Sequence, residues 1–498
     1  MKKYIFVRFL RSLFSIFMVT TIAYLLIFSL VPRYRIFQSD QLWAKLTSKP
    51  DTLKAYEFNK YEELGYLKYV EQQEICRNEF GNTSEDYFEC MDIDSSKFAA
   101  LKSKLESDGW VFGVFATTNT AYASKEISIL ERVTAFYLNM FVIDHPNKIK
   151  DEAKPDLERK IYIGKDWSGR PALLCSGCEH KYLVYVDGNF PFIHQNWITL
   201  YFGISYPSFG GMPVLEVMTQ TQGEAVQKEI TFPTGVTQSS SVSEYSCTYK
   251  YTLDRLDTTK YTDSYADCAT IRKDPSMMGI SFRMGIFSLI FSYLISIPMG
   301  IYMSSRKGKL IDKIGMGYIV FVIAVPTLAY IYLFRYLGSS FLGLPDTFPM
   351  QGAGSFASWI LPVISLSLPS IAGLLMWVRR YMVDQTTAEY VRFARSKGLS
   401  QSEIFNKHIL RNAIIPIAHG LPGSIIGAIG GAIITERIYA IPGMGKMLPD
   451  SINVFNNNVV IALTFIFTAL SILSVLLGDI LITYLDPRIS LNEKGGRR

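Results

Sequence analysis

The side chains best suited to chemistry are six cysteines: Cys76, Cys90, Cys175, Cys178, Cys247 and Cys268. Thiols in such a set either cross-link or hold a metal. Cys175-Ser-Gly-Cys178, with His180 close behind, has the spacing of half a zinc site, but no second pair completes it. An even number confined to one segment fits disulfides. Sequence neighbours invite Cys76–Cys90, Cys175–Cys178 and Cys247–Cys268, among the several connectivities six cysteines allow. A chain that hydrolysed nucleotide would carry a phosphate loop, G-x-x-x-x-G-K-[ST]. The nearest approach is Ala440-Ile-Pro-Gly-Met-Gly-Lys446-Met447, which lacks the first glycine and the terminal hydroxyl. The expectation is a chain with no catalytic residue, no metal centre and no bound cofactor of its own.

A second constellation is mechanical. Residues 385–412 are basic and carry helix punctuation twice. Thr386 and Glu389 have capping-box spacing, Gly398 reads as a left-handed stop, and Ser400 and Glu403 repeat the box. This predicts two short helices joined at Gly398, an ordered elbow suited to a groove on a soluble partner. A merely solvated basic loop would not need two sets of helix signals.

The elements that carry these residues are set by hydrophobicity. The chain is 49% hydrophobic and only 19% charged, and the apolar residues come in blocks. Roughly 20 helical residues cross a hydrocarbon core. Six stretches qualify, at 9–31, 277–303, 314–337, 359–378, 413–435 and 458–485. Backbone groups in lipid must be satisfied within the segment, so each is read as a helix. Val31-Pro32-Arg33 is no cleavage site, so the first stretch is read as a retained anchor.

Charge orients the bundle. Residues 33–275 hold 27 basic and 34 acidic side chains, and the remainder 23 basic against 10 acidic. Basic residues favour the cytoplasmic flanks of membrane helices. They cluster before the first stretch (Lys2, Lys3, Arg8, Arg11), after the second, after the fourth and in the tail. Both termini are therefore expected in the cytoplasm, with residues 33–275 outside. That segment divides into a helical part over 52–106, interrupted around 81–84, and short strands such as 110–115 and 181–186. Residues 234–270 read as loop or edge strand. Inside the apolar stretches Arg283, Arg335, His419 and Asp479 are functional candidates by default.

Tyr390-Val-Arg-Phe-Ala-Arg-Ser-Lys-Gly-Leu-Ser400 followed by Lys407-His-Ile-Leu-Arg-Asn-Ala-Ile-Ile-Pro416 resembles the cytoplasmic loop of oligopeptide and dipeptide ABC permeases. Gln195-Asn-Trp-Ile-Thr-Leu-Tyr-Phe-Gly-Ile-Ser-Tyr206, Pro213-Val-Leu-Glu-Val217, Thr435-Glu-Arg-Ile-Tyr-Ala-Ile-Pro-Gly-Met-Gly445, Gly478-Asp479 and Leu485-Asp-Pro-Arg488 are similar to that family's other segments, in its order. The enlarged first gap resembles the Ami-type branch of Gram-positive cocci. Two departures stand out. The general signature's Glu-Ala-Ala is Arg392-Phe393-Ala394 here, and the acidic-aromatic-proline run after the outer loop is Phe455-Asn456-Asn-Asn458.

The resemblance implies an α-helical polytopic membrane protein. Its fold would be a six-helix type I ABC importer domain with a large α+β extracellular domain inserted between helices 1 and 2. The domains would be 1–32, 33–275 and 276–498, the last holding a coupling loop at 379–412. It implies oligopeptide import with a homologous second permease, two cytosolic ATP-binding subunits and an extracellular peptide-binding lipoprotein. ATP and magnesium would sit on the ATPase subunits, this chain itself would contact peptide and membrane lipid, and no nucleic acid would be involved. Coupling would fall to Glu389, Tyr390, Arg392, Ala394, Arg395, Lys397, Gly398 and Leu399, and an outer loop or gate to Glu436, Pro442, Gly443 and Gly445. Alternatives are another cargo (nickel, another metal complex or a signalling peptide) and a mechanotransmitting subunit that moves an outer domain without transport.

Overall fold

The computed structural model describes residues 2–166, 169–186, 193–219, 227–241, 246–268, 276–429 and 432–485. Among the described residues five helices are long and apolar enough to cross a membrane. The first is Lys2–Leu30, the second Met277–Ser305, the fourth Phe356–Thr386 and the sixth Asn457–Leu485. The fifth, Leu410–Ile429, continues a helical run that begins at Gln401.

The third apolar stretch corrects the sequence reading. Residues 314–337 do not form one straight span. Leu310–Ala324 and Thr327–Leu342 meet at 111°. Val325 is extended and Pro326 follows it, so the helix stops where proline can supply no N–H and disfavours a helical residue before it.

The second and fourth helices pack along their length through small residues. Ser288, Ser292 and Ser296 are buried at their contact, and Ser292 and Ser296 hydroxyls donate to the Ser367 and Ile371 carbonyls. A Cβ on Gly300 would lie 2.6 Å from Val378 Cγ1, so glycine sets how closely the two helices approach there. At one end of this pair Arg379 grips Asp312 through Nε and Nη2, at 2.5 and 2.8 Å, while Gly308 N–H donates to the same carboxylate at 2.8 Å.

The insert between the first two helices mixes helices with small antiparallel sheets. Helices Pro50–Glu63, Gln72–Phe80, Glu85–Cys90 and Ser96–Ser107 surround a sheet in which Leu67–Glu71 and Val111–Val114 flank Ala121–Glu126. A second part is a four-stranded sheet from Lys160–Lys165 to Ile193–Gln195. Cys76–Cys90, Cys175–Cys178 and Cys247–Cys268 are bonded. Each bond shortens the unfolded ensemble and staples a region whose cores are small.

The asparagine run that departs from the family pattern fastens this insert to the bundle. Asn456 Nδ2 donates to Ser205 and Ser208 hydroxyls at 2.8 and 2.7 Å, Asn457 to Tyr66 at 3.2 Å, and Asn458 to the Ile204 carbonyl at 2.9 Å. Gly203, at φ +84°, lies where a Cβ would meet Asn458 Nδ2 at 2.7 Å.

Candidate functional site

Two places gather the sequence-predicted residues. The first is the elbow. Helix Glu389–Ser396 is strongly one-sided: Val391 and Ala394 are buried, and Arg392, Phe393, Arg395 and Ser396 are exposed. The buried pair packs on Val378 and Met382 of the fourth helix and on Ile404 and Ile409. The helix closes on Gly398. Gly398 N–H donates to Arg395 O at 3.0 Å and Leu399 N–H to Ala394 O at 3.3 Å, the reverse-turn pattern that a left-handed residue creates. Gly398 supplies it at φ +75°.

Past the turn, Ser400 caps the next helix, and Glu403 returns the bond to Ser400 N–H at 3.2 Å. The expected second short helix is not separate. From Gln401 the chain runs through a π-helical turn, Ile404–Ile409, straight into the fifth membrane helix. The first capping box does not form either. Thr386 ends the fourth helix with its hydroxyl on the Val383 carbonyl, and Ala388 occupies the cap position without a side-chain bond. Hence Ser400→Ala should cost the elbow about 1 kcal/mol, whereas Thr386→Ala should be within a few tenths. Thermal unfolding of the two purified variants checks this contrast.

Of the proposed coupling residues, Glu389, Arg392, Arg395, Lys397, Gly398 and Leu399 are exposed, Tyr390 is half-buried and Ala394 faces inward. Tyr390 donates to Gln385 Oε1 at 2.7 Å. Sequence reasoning missed Phe393. It stands 61% exposed with the Lys397 ammonium 4.5 Å from its ring centre. The elbow therefore presents an apolar tip, Phe393 and Leu399, ringed by Arg392, Arg395 and Lys397. The missed signal was the apolar residue itself, out of phase with Val391 and Ala394 on a helix too short to bury both sides.

The second place is the outer loop. Glu436 is fully buried. Its Oε1 accepts from Ser281 Oγ at 2.7 Å and Ala432 N–H at 3.3 Å, and its Oε2 from Lys446 N–H at 2.8 Å, with Gly445 N–H also directed at the carboxylate. Helix Met444–Asn453 begins here, so the carboxylate sits against its free N–H groups. Ser281 in turn accepts from Met444 N–H at 2.8 Å and so bridges the second helix to the loop. A Cβ on Gly443 would fall 2.5 Å from Glu436 Cδ, and one on Gly445 2.9 Å from Oε2. Glycine at both positions is thus required by the carboxylate, and Pro442 is half-buried in the same turn. Glu436 braces the loop and lies away from any open surface. Ser281, far away in sequence, could not have been paired with it by inspection.

Three of the remaining ionisable candidates, Arg335, His419 and Asp479, are engaged structurally. Arg335 bonds the Ile438 carbonyl and Asp346, both at 3.0 Å, His419 Nδ1 lies 2.8 Å from the Gly478 carbonyl, and Asp479 pairs with Arg8. Among the described residues no cluster of three or more metal-binding side chains occurs.

Residues 296–491 match the family model described as a binding-protein-dependent transport system inner membrane component. Over its whole length the chain is 43% identical to the oligopeptide transport system permease protein AmiC of Streptococcus pneumoniae, covering 100% of both chains. The dipeptide transport system permease protein DppB of Lactococcus lactis is 32% identical over 228 residues, which cover 46% of this chain and 74% of that one. A solved structure of a methionine ABC transporter in inward-facing conformations aligns at 15% identity with a TM-score of 0.31, covering 42% of this chain and 94% of that one.

Proposed function

Because the chain belongs to the oligopeptide and dipeptide permease family of ABC importers, we propose that it forms one half of a peptide pathway and takes its motion from ATPases on other chains. It is the permease subunit of an oligopeptide importer. The observation that carries the division of labour is the elbow. An exposed basic and apolar knob is built on a fixed turn and runs without a break into the fifth membrane helix.

Such a knob suits a groove with an apolar floor and acidic rim on a cytosolic ATPase. Displacement there would pass through the π turn into the fifth helix and through Val378 and Met382 into the fourth. A π turn within a helical run is itself a frequent mark of a functional site. ATP and magnesium would belong to two such ATPases. A second, homologous permease would complete the pathway, and an external binding lipoprotein would deliver the peptide. The charge distribution supports cytoplasmic termini and an insert on the outer side. The three disulfides agree with an oxidising surface there.

The test is ATP-dependent uptake of short labelled peptides by cells lacking this chain and by cells in which it is restored. Uptake should vanish and return. Unchanged uptake, with other peptide importers also removed, would assign the chain another cargo or a role without transport.

A further inference from the structure

Part of the insert does not sit above the membrane helices but alongside them. Helix Ile129–Asn139 runs next to the first membrane helix. Arg132 lies 4.1 Å from the ring centres of Phe28 and Tyr66, Phe136 packs on Tyr24 at 5.3 Å, and Tyr137 packs on Phe17 at 4.8 Å. Tyr137 Oη also lies 2.8 Å from Thr21 Oγ1 and donates to the Phe17 carbonyl at 3.1 Å.

These contacts move steadily down the span. At 1.5 Å per residue, Thr21 lies roughly 14 Å below Leu30, about half the depth of a 30 Å hydrocarbon core. The sixth helix gives an independent measure. Phe202, next to Leu200 in the same part of the insert, packs on Phe465 at 5.3 Å. Phe465 lies roughly 21 Å along its helix from Asp479, whose partner Arg8 marks the opposite end of the first helix.

What this element exposes is apolar. Leu130 is 72% and Leu138 76% exposed, and Phe141, Ile143 and Ile198 follow on the paired strands Phe141–Ile143 and Ile198–Leu200. The polar exceptions are few. Glu131 belongs to the capping box at the upper end, Thr134 returns its hydroxyl to the Leu130 carbonyl, and Asn139 ends the helix. Trp197 and Tyr201 are exposed on the same strand pair, as aromatic residues are at membrane interfaces. The first membrane helix is itself peripheral, with Phe9, Leu13, Phe14, Phe17, Ile22 and Leu26 all exposed.

We propose that Ile129–Ile143 with residues 197–201 is a re-entrant element that dips beside the first membrane helix into the outer leaflet and faces lipid acyl chains. The helix satisfies its own backbone, and the strand pair is only three residues long, so little open backbone enters hydrocarbon. Lipid is favoured over a protein partner because the exposed face carries no charged residue below Glu131 and continues the bare apolar surface of the first helix. The element would act as an anchor that fixes the insert's height above the pathway. The proposal rests on the outward orientation of the insert.

All six cysteines are bonded, so single cysteines can be added cleanly. Leu138→Cys and, as a second site, Phe141→Cys would carry nitroxide labels in the assembled complex in lipid vesicles, with Val111→Cys on an exposed strand as the aqueous control. Oxygen collisions should be frequent and water-soluble nickel chelate collisions rare at 138 and 141, with the reverse at 111. Frequent nickel collisions at 138 and 141 would place the element in water, and rare collisions with both reagents would place it under another protein. Either result overturns the proposal. Labelling of Val111→Cys by an impermeant maleimide on intact cells tests the orientation separately.

Discussion

Replacing Glu436 by alanine should lower the stability of the purified complex by about 3 kcal/mol or more and abolish most peptide uptake. The loss would not come from a missing charge in the pathway. The carboxylate accepts from Ser281 Oγ, Ala432 N–H, Lys446 N–H and Gly445 N–H in a site closed to water. Alanine would strand these donors, and each buried unpaired group costs about 1–3 kcal/mol. It would also leave a void beneath Gly443 and Gly445, whose missing side chains make room for the carboxylate.

Glu436→Gln offers the finer test. Its carbonyl oxygen can keep one pair of donors, but its amide nitrogen must then face the other pair. Stability should fall between wild type and alanine. The check is thermal unfolding followed by tryptophan fluorescence, with uptake measured in parallel. If alanine unfolds with wild type, the loop is not held by this carboxylate.

This site also shows where sequence reading stops. Thr435 to Gly445 was legible as a unit because its contiguous residues resemble one segment of the permease family. Its partner Ser281 is 155 residues away and is one serine among many. The Arg379–Asp312 pair has the same character: two charges on separate helices that meet only when the bundle closes.

Hydrophobic run length found the membrane helices but not the break at Val325–Pro326. Proline was no guide to it, since Pro298, Pro362, Pro369, Pro416 and Pro422 all lie inside intact helices. Membrane helices tolerate proline in their interior, so its presence alone does not mark a break. The insert was read as one outer domain because its charge is negative and its cysteines are many. Yet Leu200, Phe202, Val214, Val217 and Met218 share a core with Met277, Met444 and Val459 of the bundle. Apolar residues in a mixed sequence announce burial and do not say against what. In the elbow, Thr386 and Ser400 carry the same local signal, and only Ser400 uses it. The fourth helix instead runs on through Thr386, past the apolar stretch that ends at residue 378.

At Gly398 two substitutions should separate backbone from space. The residue sits at φ +75°, and nothing in this chain comes within 4 Å of a Cβ built there. Gly398→Ala therefore pays only the left-handed strain, about 1–2 kcal/mol, on a turn that Val391 and Ala394 still anchor. It should transport peptide at close to the wild-type rate. Gly398→Trp bears a similar strain and adds an indole that projects outward, beside Arg395 and Lys397, into whatever seats on the elbow. Its uptake should fall more than about tenfold, the change that a steric cost of only about 1.4 kcal/mol would produce in occupancy. The membrane bundle, buried elsewhere, should assemble with its second permease as before. Co-purification of that permease, binding of the ATPases and ATP-driven uptake together read the outcome. Intact uptake by the tryptophan variant would show that no partner closes over Gly398, and the elbow would lose its coupling role. Equal loss in both variants would instead locate the requirement in the turn itself. Loss confined to tryptophan, with the ATPases released or idle, would mark Gly398 as the point where this chain meets its motor.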